Sequence, residues 1–482
     1  MALNVKKLNF PHVFIFLSVI ILFVAILTYV IPSGEFDRTT RKLGNIEQNV
    51  VVPGSYERLP KHFSFKGMLL GEKVEGKASP TSFLGLLTAI PKGLDQSAAL
   101  IFFVFTIGAV FNLIRHTGTI HVIIYGLMRR FRNRNTLLLF GIYLFILLLS
   151  TFLGSGTEFM PLIPLFLLIS KQSGYDRIFG LALLAVPFSL GWTIALTNPF
   201  NVQIAQSVAE VPIGSGMGLR LILLLVIGGT GFLFMMRYGR RVKLGISQSA
   251  MGQDPFILPD DTGMNTMKVE RKHVLIFLIS GILFAVILLS VQKLGWGLIE
   301  MTGGFFLVGI VTIFISGMSG SESMKAFIKG LEIMIIPALV IGFARGIQVV
   351  MLEGQILDTL LFSTANILEK LPKILAAEGM FVFQSFLNFF IPSASGQALV
   401  SMPLMVPLSD LLGLTRQTAV LAYTLGDGLS NMIIPTSGVL MAMLGLAEIP
   451  YEKWFRFMLP LFLITSLIAF VTLAIAVMIG YS

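Results

Sequence analysis

The sequence predicts an all-α polytopic membrane protein with two inverted repeats, each holding a re-entrant hairpin and a broken helix. The mean hydropathy is +0.86, and 55% of the 482 residues are hydrophobic while 12% are charged. This composition excludes a water-soluble globular protein. Two long apolar segments are interrupted midway by small polar residues, and two further helices carry polar breaks. Irregular backbone is tolerated at membrane depth only where it is buried in protein or lines a water-filled cavity.

The composition also limits the partners and cofactors. The net charge of +10 does not indicate nucleic acid, because the basic residues lie in short clusters between apolar runs, as topology determinants do. The chain has no cysteine, and its five histidines show no metal-ligand spacing, so we expect no cofactor and no structural metal. "GEKVEGK" at 71–77 has the spacing of a phosphate loop, but Ala78 replaces the Ser or Thr that would hold Mg²⁺.

Nine apolar segments have about the 20 residues that a spanning helix needs. They are 12–31, 98–114, 177–199, 218–236, 273–291, 298–317, 331–351, 415–434 and 455–480. The first follows Lys6 and Lys7 and is too long for the apolar part of a signal peptide. We therefore expect it to remain as a helix with a cytoplasmic N-terminus.

The segments 135–170 and 374–411 are too long for one span and are expected to form re-entrant hairpins. The basic clusters "RRFRNRN" (129–135) and "KQSGYDR" (171–177) flank the first, so that it enters and leaves on the cytoplasmic side. Counting spans from a cytoplasmic N-terminus places the flanks of the second hairpin on the outer side of the membrane. The same count places the long loop from Pro32 to Ala98 on that side. The sequence does not predict the structure of this loop.

The two halves follow one pattern. "IGAVFNLIRHTG" (107–118) precedes the first hairpin as "IGFARGIQVVMLEG" (341–354) precedes the second, and a short amphipathic stretch follows each. After the hairpins come helices broken at "ALTNPFN" (195–201) and "GDGLSNMIIPTSG" (426–438). We infer an inverted repeat. Its predicted parts are scaffold helices with the external loop (1–134), first hairpin and broken helix (135–217), connecting helices and cytoplasmic linker (218–297), second scaffold (298–371), second hairpin and broken helix (372–450), and C-terminal helix (451–482).

The hairpin tips and the breaks are the candidate binding elements. The tips "LGSGTEF" (153–159) and "IPSASGQ" (391–397) place N–H groups at half-helix N-termini, whose partial positive charge suits a carboxylate. Unwound carbonyls with Asn, Thr and Ser oxygens suit Na⁺, which we expect near Asn198 and Asn431. One such tip alone would indicate an ordinary tight turn, but two tips and two breaks at matching places favour binding.

Three charged residues are isolated within apolar sequence: Glu158, Asp427 and Arg345. An unpaired charge inside the bilayer costs at least about 2.5–3.5 kcal/mol, so such residues are functional candidates. We expect Glu158 and Asp427 to contact substrate or ion. A structural pair with Arg345 is the alternative, and Arg345 itself is expected at a contact between scaffold and carrier. Asp410 is expected at the membrane interface.

The motifs "TNPFNVQIAQ" (197–206), "GFARGIQVVM" (342–351) and "IPSASGQALVSMPLMVPLSDLLGLTRQTAVLAYTLGDGLSNMIIPTSGVLMA" (391–442) resemble the YfcC family. This family lies within the DcuC-like C4-dicarboxylate carrier group of the ion transporter superfamily. The resemblance implies a bacterial inner-membrane secondary transporter with a dimerising scaffold and an elevator-type carrier domain. It maps the binding of substrate and coupling ion to Ser155, Gly156, Thr157, Glu158, Thr197, Asn198, Asn201, Ser393, Ser395, Gly396, Asp427, Asn431, Thr436 and Ser437.

The substrate and the coupling stay open at the level of sequence. Members of the resembled group are basic amino-acid antiporters or carboxylate carriers, and "GSGTEF" keeps one Glu where the family pattern suggests two. Two acidic residues without a second clear basic one argue against a dicarboxylate. An amino acid is favoured, with a basic one such as arginine or ornithine ahead of a neutral one, and a C4-dicarboxylate or other organic-anion carrier is the alternative. Symport or antiport with Na⁺ or H⁺ is possible in either case. A channel is the competing class, whereas an enzyme is not expected because no HExxH or GxSxG motif occurs.

Overall fold

The computed structural model describes residues 13–43, 46–120, 122, 135–252, 256 and 270–482. The described α-helices are, in chain order, α1 Val13–Val30, α2 Phe65–Leu70, α3 Phe83–Gln96, α4 Ala98–His116, α5 Asn135–Leu153, α6 Ile163–Gln172, α7 Arg177–Ile194, α8 Val202–Val208, α9 Met217–Lys243, α10 Arg271–Leu294, α11 Leu298–Ser316, α12 Gly320–Ile333, α13 Ile335–Glu353, α14 Leu357–Leu368, α15 Lys373–Phe390, α16 Ala394–Leu411, α17 Arg416–Ser430, α18 Gly438–Leu446 and α19 Tyr451–Ile479. A 3₁₀ helix at Thr157–Leu162 precedes α6.

The described chain is mostly helical, as predicted, but the described part of the long loop, whose structure the sequence leaves open, contains four short strands. They are β1 Ser33–Glu35, β2 Arg38–Leu43, β3 Ile46–Val51 and β4 Glu57–Leu59, and they form two antiparallel pairs, β1 with β4 and β2 with β3. Contacts with the second half hold this region. Arg38 pairs with Asp358 of α14 at 2.9 Å, and the Tyr56 ring stacks on Phe362 at 4.1 Å between centroids.

Seven helical segments of the described chain are long and apolar enough to cross a bilayer. They are α4, α5, α7, α9, α11, the α12–α13 pair and α19. The other predicted spans contain α1, α10 and α17. The helices α7 and α17 end earlier than the predicted spans 177–199 and 415–434, because the chain unwinds inside both. The chain is therefore a multi-pass membrane protein.

The predicted span 98–114 is the second part of a longer element. Helix α3 precedes α4 with Ser97 between them, as α12 precedes α13 with Met334 between them. Small residues bring α3 and α13 into close contact, since a Cβ on Gly93 would lie 2.3 Å from the Gly342 carbonyl oxygen. Helix α4 packs on α12 in the same way: a Cβ on Gly330 would lie 2.5 Å from the Gly108 carbonyl oxygen.

The hairpin and the broken helix follow in the same order in both halves. Helix α5 packs against α7, and α15 packs against α17. The first break joins α7 to α8 and the second joins α17 to α18. The amphipathic stretch after 341–354 corresponds to α14, whereas most of the stretch after 107–118 lies outside the described residues. The opposite orientation of the two halves stays a prediction.

Cysteine labelling tests the two hairpins, and the natural chain has no cysteine to give background. We expect Arg132→Cys and Ser173→Cys to react only from the cytoplasmic side. Lys373→Cys and Gly413→Cys are expected to react only from outside, because a re-entrant segment returns to the face that it left. Labelling with a membrane-impermeant maleimide, on sealed cells and on inverted vesicles, measures from which side each cysteine is accessible. Opposite-side labelling within either pair would mean that the segment crosses the bilayer.

Candidate functional site

Residues of both hairpin tips, both breaks and the start of α11 line a cavity of about 400 Å³. Hydroxyl, amide and glycine positions line it, together with an aromatic wall and several aliphatic side chains. Of the residues predicted as a site, five lie in its lining: Thr157, Ser393, Ser395, Asn431 and Ser437. The structure thus brings together segments that are up to 280 positions apart, counting from 157 to 437.

The second tip presents the first turn of α16 to the cavity. Ser393 caps this helix, and its hydroxyl accepts a hydrogen bond from the Gly396 N–H at 3.4 Å. Ser393, Ala394 and Ser395 all line the cavity. The first N–H groups of a helix have no partner within the helix and carry partial positive charge. This turn can therefore bind a carboxylate.

The first tip is joined to the first break. Thr197 donates its hydroxyl to the Phe152 carbonyl oxygen at 2.8 Å. Gly154 has a φ of +67°, and a Cβ there would lie 2.3 Å from Asn198 Oδ1, so that both conformation and space require glycine. Asn198 Oδ1 accepts the Phe200 N–H at 2.9 Å, which fixes the backbone of the break. The Glu158 side chain lies outside the described part of the structure.

Asp427 lies at the centre of the polar groups behind the cavity. It is fully buried. Its Oδ2 accepts from Asn201 Nδ2 at 3.1 Å and its Oδ1 from Asn431 Nδ2 at 3.1 Å, so it connects the two breaks. Among the described residues no basic side chain pairs with it. A buried carboxylate without a counter-charge is costly, and a proton or a bound cation is what can compensate it here.

Two amide oxygens beside Asp427 have no hydrogen-bond partner in the described structure: Asn201 Oδ1 and Asn388 Oδ1. Asn388 Nδ2 donates to the Asp427 carbonyl oxygen at 2.9 Å and to Ser430 Oγ at 2.8 Å. Buried polar atoms are normally satisfied, so the orphaned oxygens of two side chains that bond Asp427 need a further partner, such as a water molecule or a cation. Carboxylate and amide oxygens are suitable ligands for a small cation such as Na⁺. Asp427, Asn201 and Asn388 together form an oxygen-rich group.

The aromatic wall of the cavity was not predicted from the sequence. Phe188, Trp192 and Phe200 contribute from the first repeat and Trp296 from the segment before α11. Two of the three tryptophans of the chain therefore line one cavity. Trp192 lies three residues before Ala195, where the break begins. This closeness to the break could have identified it as a candidate site residue. Asn388 was also missed, although "SFLNFF" places one amide within an apolar helix.

The other predicted residues support the cavity from behind or lie apart from it. Ser155 is buried, and its carbonyl oxygen accepts from Ser150 at 2.8 Å. A Cβ on Gly156 would lie 2.0 Å from the Phe188 ring. Thr436 is buried with no partner for its hydroxyl among the described residues. Arg345 lies on α13, away from the lining, and its Nε likewise has no described partner. Asp410 is exposed and pairs with Arg416 at 2.8 Å.

Ser395→Leu tests the second tip. We expect the variant to insert and fold but to lose substrate binding, because a leucine side chain would fill the cavity beside the free N–H groups of α16. Uptake and ligand-induced thermal shift of the purified protein measure the effect. Ser363→Leu on the exposed face of α14 is the matched control. Normal uptake by the Ser395 variant would remove the second tip from the site.

Comparisons with known proteins identify the family of the chain. A family model described as DcuC, C4-dicarboxylate anaerobic carrier, matches residues 10–478. The putative basic amino acid antiporter YfcC of Escherichia coli is 31% identical, with 91% of each chain covered. An uncharacterized protein of Haemophilus influenzae is 26% identical, with 98% of each covered. Among solved structures, the Alcanivorax borkumensis YdaH transporter matches with a TM-score of 0.43 and 18% identity over 98% of this chain and 99% of its own.

Proposed function

The chain belongs to the DcuC family, as its motifs predicted, and from that premise we propose that it exchanges basic amino acids across the bacterial inner membrane. It is a secondary transporter of the DcuC/YfcC type. The relative from Escherichia coli is named a putative basic amino acid antiporter, which supports the same substrate class here.

The observation that carries the proposal is the absence of a basic side chain from the described lining of the cavity. Its lining contains hydroxyl, amide and aromatic groups but no Lys, Arg or His among the described residues. Behind the lining lies the Asp427 carboxylate, which accepts a hydrogen bond from the lining residue Asn431. A C4-dicarboxylate would bring two negative charges to a site without a basic side chain, whereas an ammonium or guanidinium group is attracted by aromatic faces and by a carboxylate.

The two ends of an amino acid fit different walls. The α-carboxylate is placed at the first turn of α16, beside Ser395, where unpaired N–H groups attract an anion. The cationic end is placed towards Trp192 and Asn431, on the side of Asp427. The α-carboxylate and the side-chain cation of a basic amino acid are then compensated without an ionised side chain in direct contact with the α-carboxylate.

Exchange of solutes is expected because the substrate and the coupling ion would bind the same carboxylate, that of Asp427. Substrate cation, proton and Na⁺ each compensate the same buried carboxylate, so binding of one weakens binding of another. The orphaned oxygens of Asn201 and Asn388 support a cation at this place. Coupling to Na⁺ or H⁺, or direct exchange of two substrates, uses the same groups.

An elevator movement is part of the proposal. The parts 135–217 and 372–450, which contain most of the residues that line the cavity, would move as a carrier relative to a scaffold formed by 1–134 and 298–371. The recurrence of element order and helix pairing in the two halves supports this division. A homodimer formed through the scaffold and a cytoplasmic N-terminus belong to the same proposal. A C4-dicarboxylate carrier is the second candidate, favoured by the description of the matching family.

A thermal-shift screen of the purified protein tests the substrate class. We expect arginine and ornithine to raise the melting temperature, since a ligand at a hundred times its Kd stabilises by about 2.7 kcal/mol. Neutral amino acids of similar size and succinate are the comparison ligands, each with and without Na⁺. Stabilisation by succinate and not by arginine would favour the C4-dicarboxylate carrier.

A further inference from the structure

Arg220 is a fully buried cation at the first break. It is the fourth residue of α9, and its Nη1 donates to the carbonyl oxygens of Ile194 at 2.8 Å and Ala195 at 3.4 Å. The same nitrogen donates to Thr424 Oγ1 on α17 at 3.0 Å. One guanidinium thus connects the end of the first half-helix to the helix that carries Asp427.

The carbonyl groups that Arg220 binds have lost their helical partners. Helix α7 ends at Ile194, and Ala195 takes a left-handed conformation with a φ of 43°. In a continued helix, the Ala195 carbonyl oxygen would accept a hydrogen bond from the N–H of residue 199. That residue is proline, which has no N–H. The last carbonyl oxygens of a helix also carry partial negative charge. This end therefore attracts a cation.

Arg220 has no carboxylate partner in the described structure. Its Nε and Nη2 lack any described hydrogen-bond partner, and the partners of Nη1 are two carbonyl oxygens and one hydroxyl. Carbonyl and hydroxyl oxygens at an unwound helix end are the ligands that transporters use for Na⁺. The guanidinium therefore takes oxygens that could otherwise bind a monovalent ion.

The second break has a neutral donor at the equivalent place. Trp454 is the fourth residue of α19, which follows α18 as α9 follows α8, and it is also fully buried. Its Nε1 donates to the Met432 carbonyl oxygen at 3.0 Å, and the Tyr451 hydroxyl donates to the Ile433 carbonyl oxygen at 2.6 Å. The first break thus has a fixed cation, whereas the second has the Asp427 carboxylate and neutral donors.

We propose that Arg220 is a resident cation that occupies, at the first break, the place of an exchangeable monovalent ion. The coupling ion then binds only beside Asp427, and one exchangeable cation is coupled to each transport cycle. Arg220 is a positioning residue, because it acts through the Ile194 and Ala195 carbonyl groups. The expectation of one exchangeable cation per transport cycle rests on the proposed carrier function. The proposal that Arg220 occupies the first break does not.

Chemical rescue of the purified protein tests the occupancy without any transport assay. Arg220→Ala is expected to lower the melting temperature by several degrees, and millimolar methylguanidinium to recover at least half of this loss. Trp454→Phe removes the equivalent neutral donor, and Arg237→Ala removes an exposed cation of α9; neither is expected to gain from methylguanidinium. Absence of rescue, or equal rescue of the Trp454 variant, would overturn the proposal.

Charge-conserving variants decide the question if Arg220→Ala does not fold. Arg220→Lys is expected to keep the wild-type dependence of transport on Na⁺. Arg220→Gln is expected to acquire an added dependence, seen as a Hill coefficient for Na⁺ that rises by about one, because the emptied oxygens then take an ion from solution. Equal behaviour of the Lys and Gln variants would contradict a resident cation.

A double variant excludes a simpler role as counter-charge to Asp427, which lies three residues after Thr424 on α17. If Arg220 acts on the first break, Asp427→Asn leaves the methylguanidinium rescue of Arg220→Ala unchanged. If Asp427→Asn itself removes the stability loss of Arg220→Ala, Arg220 is a counter-ion and the proposal fails. A protein that transports none of the tested solutes but shows the rescue would refute the proposed function and keep the resident cation.

Discussion

Asp427→Asn is expected to abolish coupled net uptake while the protein still folds. Asparagine has nearly the same shape and can keep a bond to Asn201 or Asn431, but it removes the described charge that compensates a bound cation. Loss of one partner of a buried, hydrogen-bonded charge pair costs about 2–5 kcal/mol, on the order of thirtyfold or more in affinity. Gradient-driven uptake in proteoliposomes measures the loss.

Exchange measured on the same variant separates the two roles of Asp427. If the carboxylate holds the coupling ion, substrate exchange survives the substitution; if it holds the cationic end of the substrate, binding collapses as well. Asp410→Asn is the matched control, because Asp410 is exposed and pairs with Arg416 away from the cavity. Full coupled uptake and unchanged substrate affinity in Asp427→Asn would remove Asp427 from the site.

Gly428→Ala is expected to displace the two broken helices from each other and stop transport. A Cβ on Gly428 would lie 2.3 Å from Thr193 Cα and 2.5 Å from Thr193 N. These are backbone atoms, so no side-chain rotation relieves the contact, and overpacking costs about 1–3 kcal/mol. The shift would also move the adjacent Asp427. Melting temperature and uptake should therefore both fall.

Gly229→Ala is the control for this substitution, since a Cβ there meets nothing within 4 Å. Replacing a glycine inside a helix by alanine without a steric conflict stabilises by about 0.4–1 kcal/mol, so this variant should be at least as stable as the natural protein. A Gly428 variant with normal stability and uptake would show that the close crossing of α7 and α17 is not required.

The sequence predicted the positions of the helices and the breaks because the bilayer restricts both. Apolar length identifies a spanning segment, and a polar interruption such as 426–438 has few permitted explanations at membrane depth. The strands around Arg38 were not predictable, since that region is not governed by apolar length and is held by a distant partner, Asp358.

The candidate site was predictable in part for the same reason. The small polar residues of the tips, such as Ser395, are unusual in apolar sequence and were recognised. Arg220 resembled an ordinary residue at the start of an apolar helix, because its role depends on the carbonyl group of Ile194, 26 positions earlier. The aromatic residue Trp296 became part of the cavity only through the packing of two segments that are distant in sequence.

Counterflow in proteoliposomes tests directly whether this chain is a carrier of basic amino acids. Vesicles loaded with unlabelled arginine and diluted into labelled arginine should accumulate label transiently above its external concentration, at a rate that saturates. Only a carrier that returns with bound substrate gives this overshoot. Flux that rises linearly with concentration and never exceeds equilibrium would identify a channel, and overshoot with succinate but not with arginine would contradict the proposed substrate class.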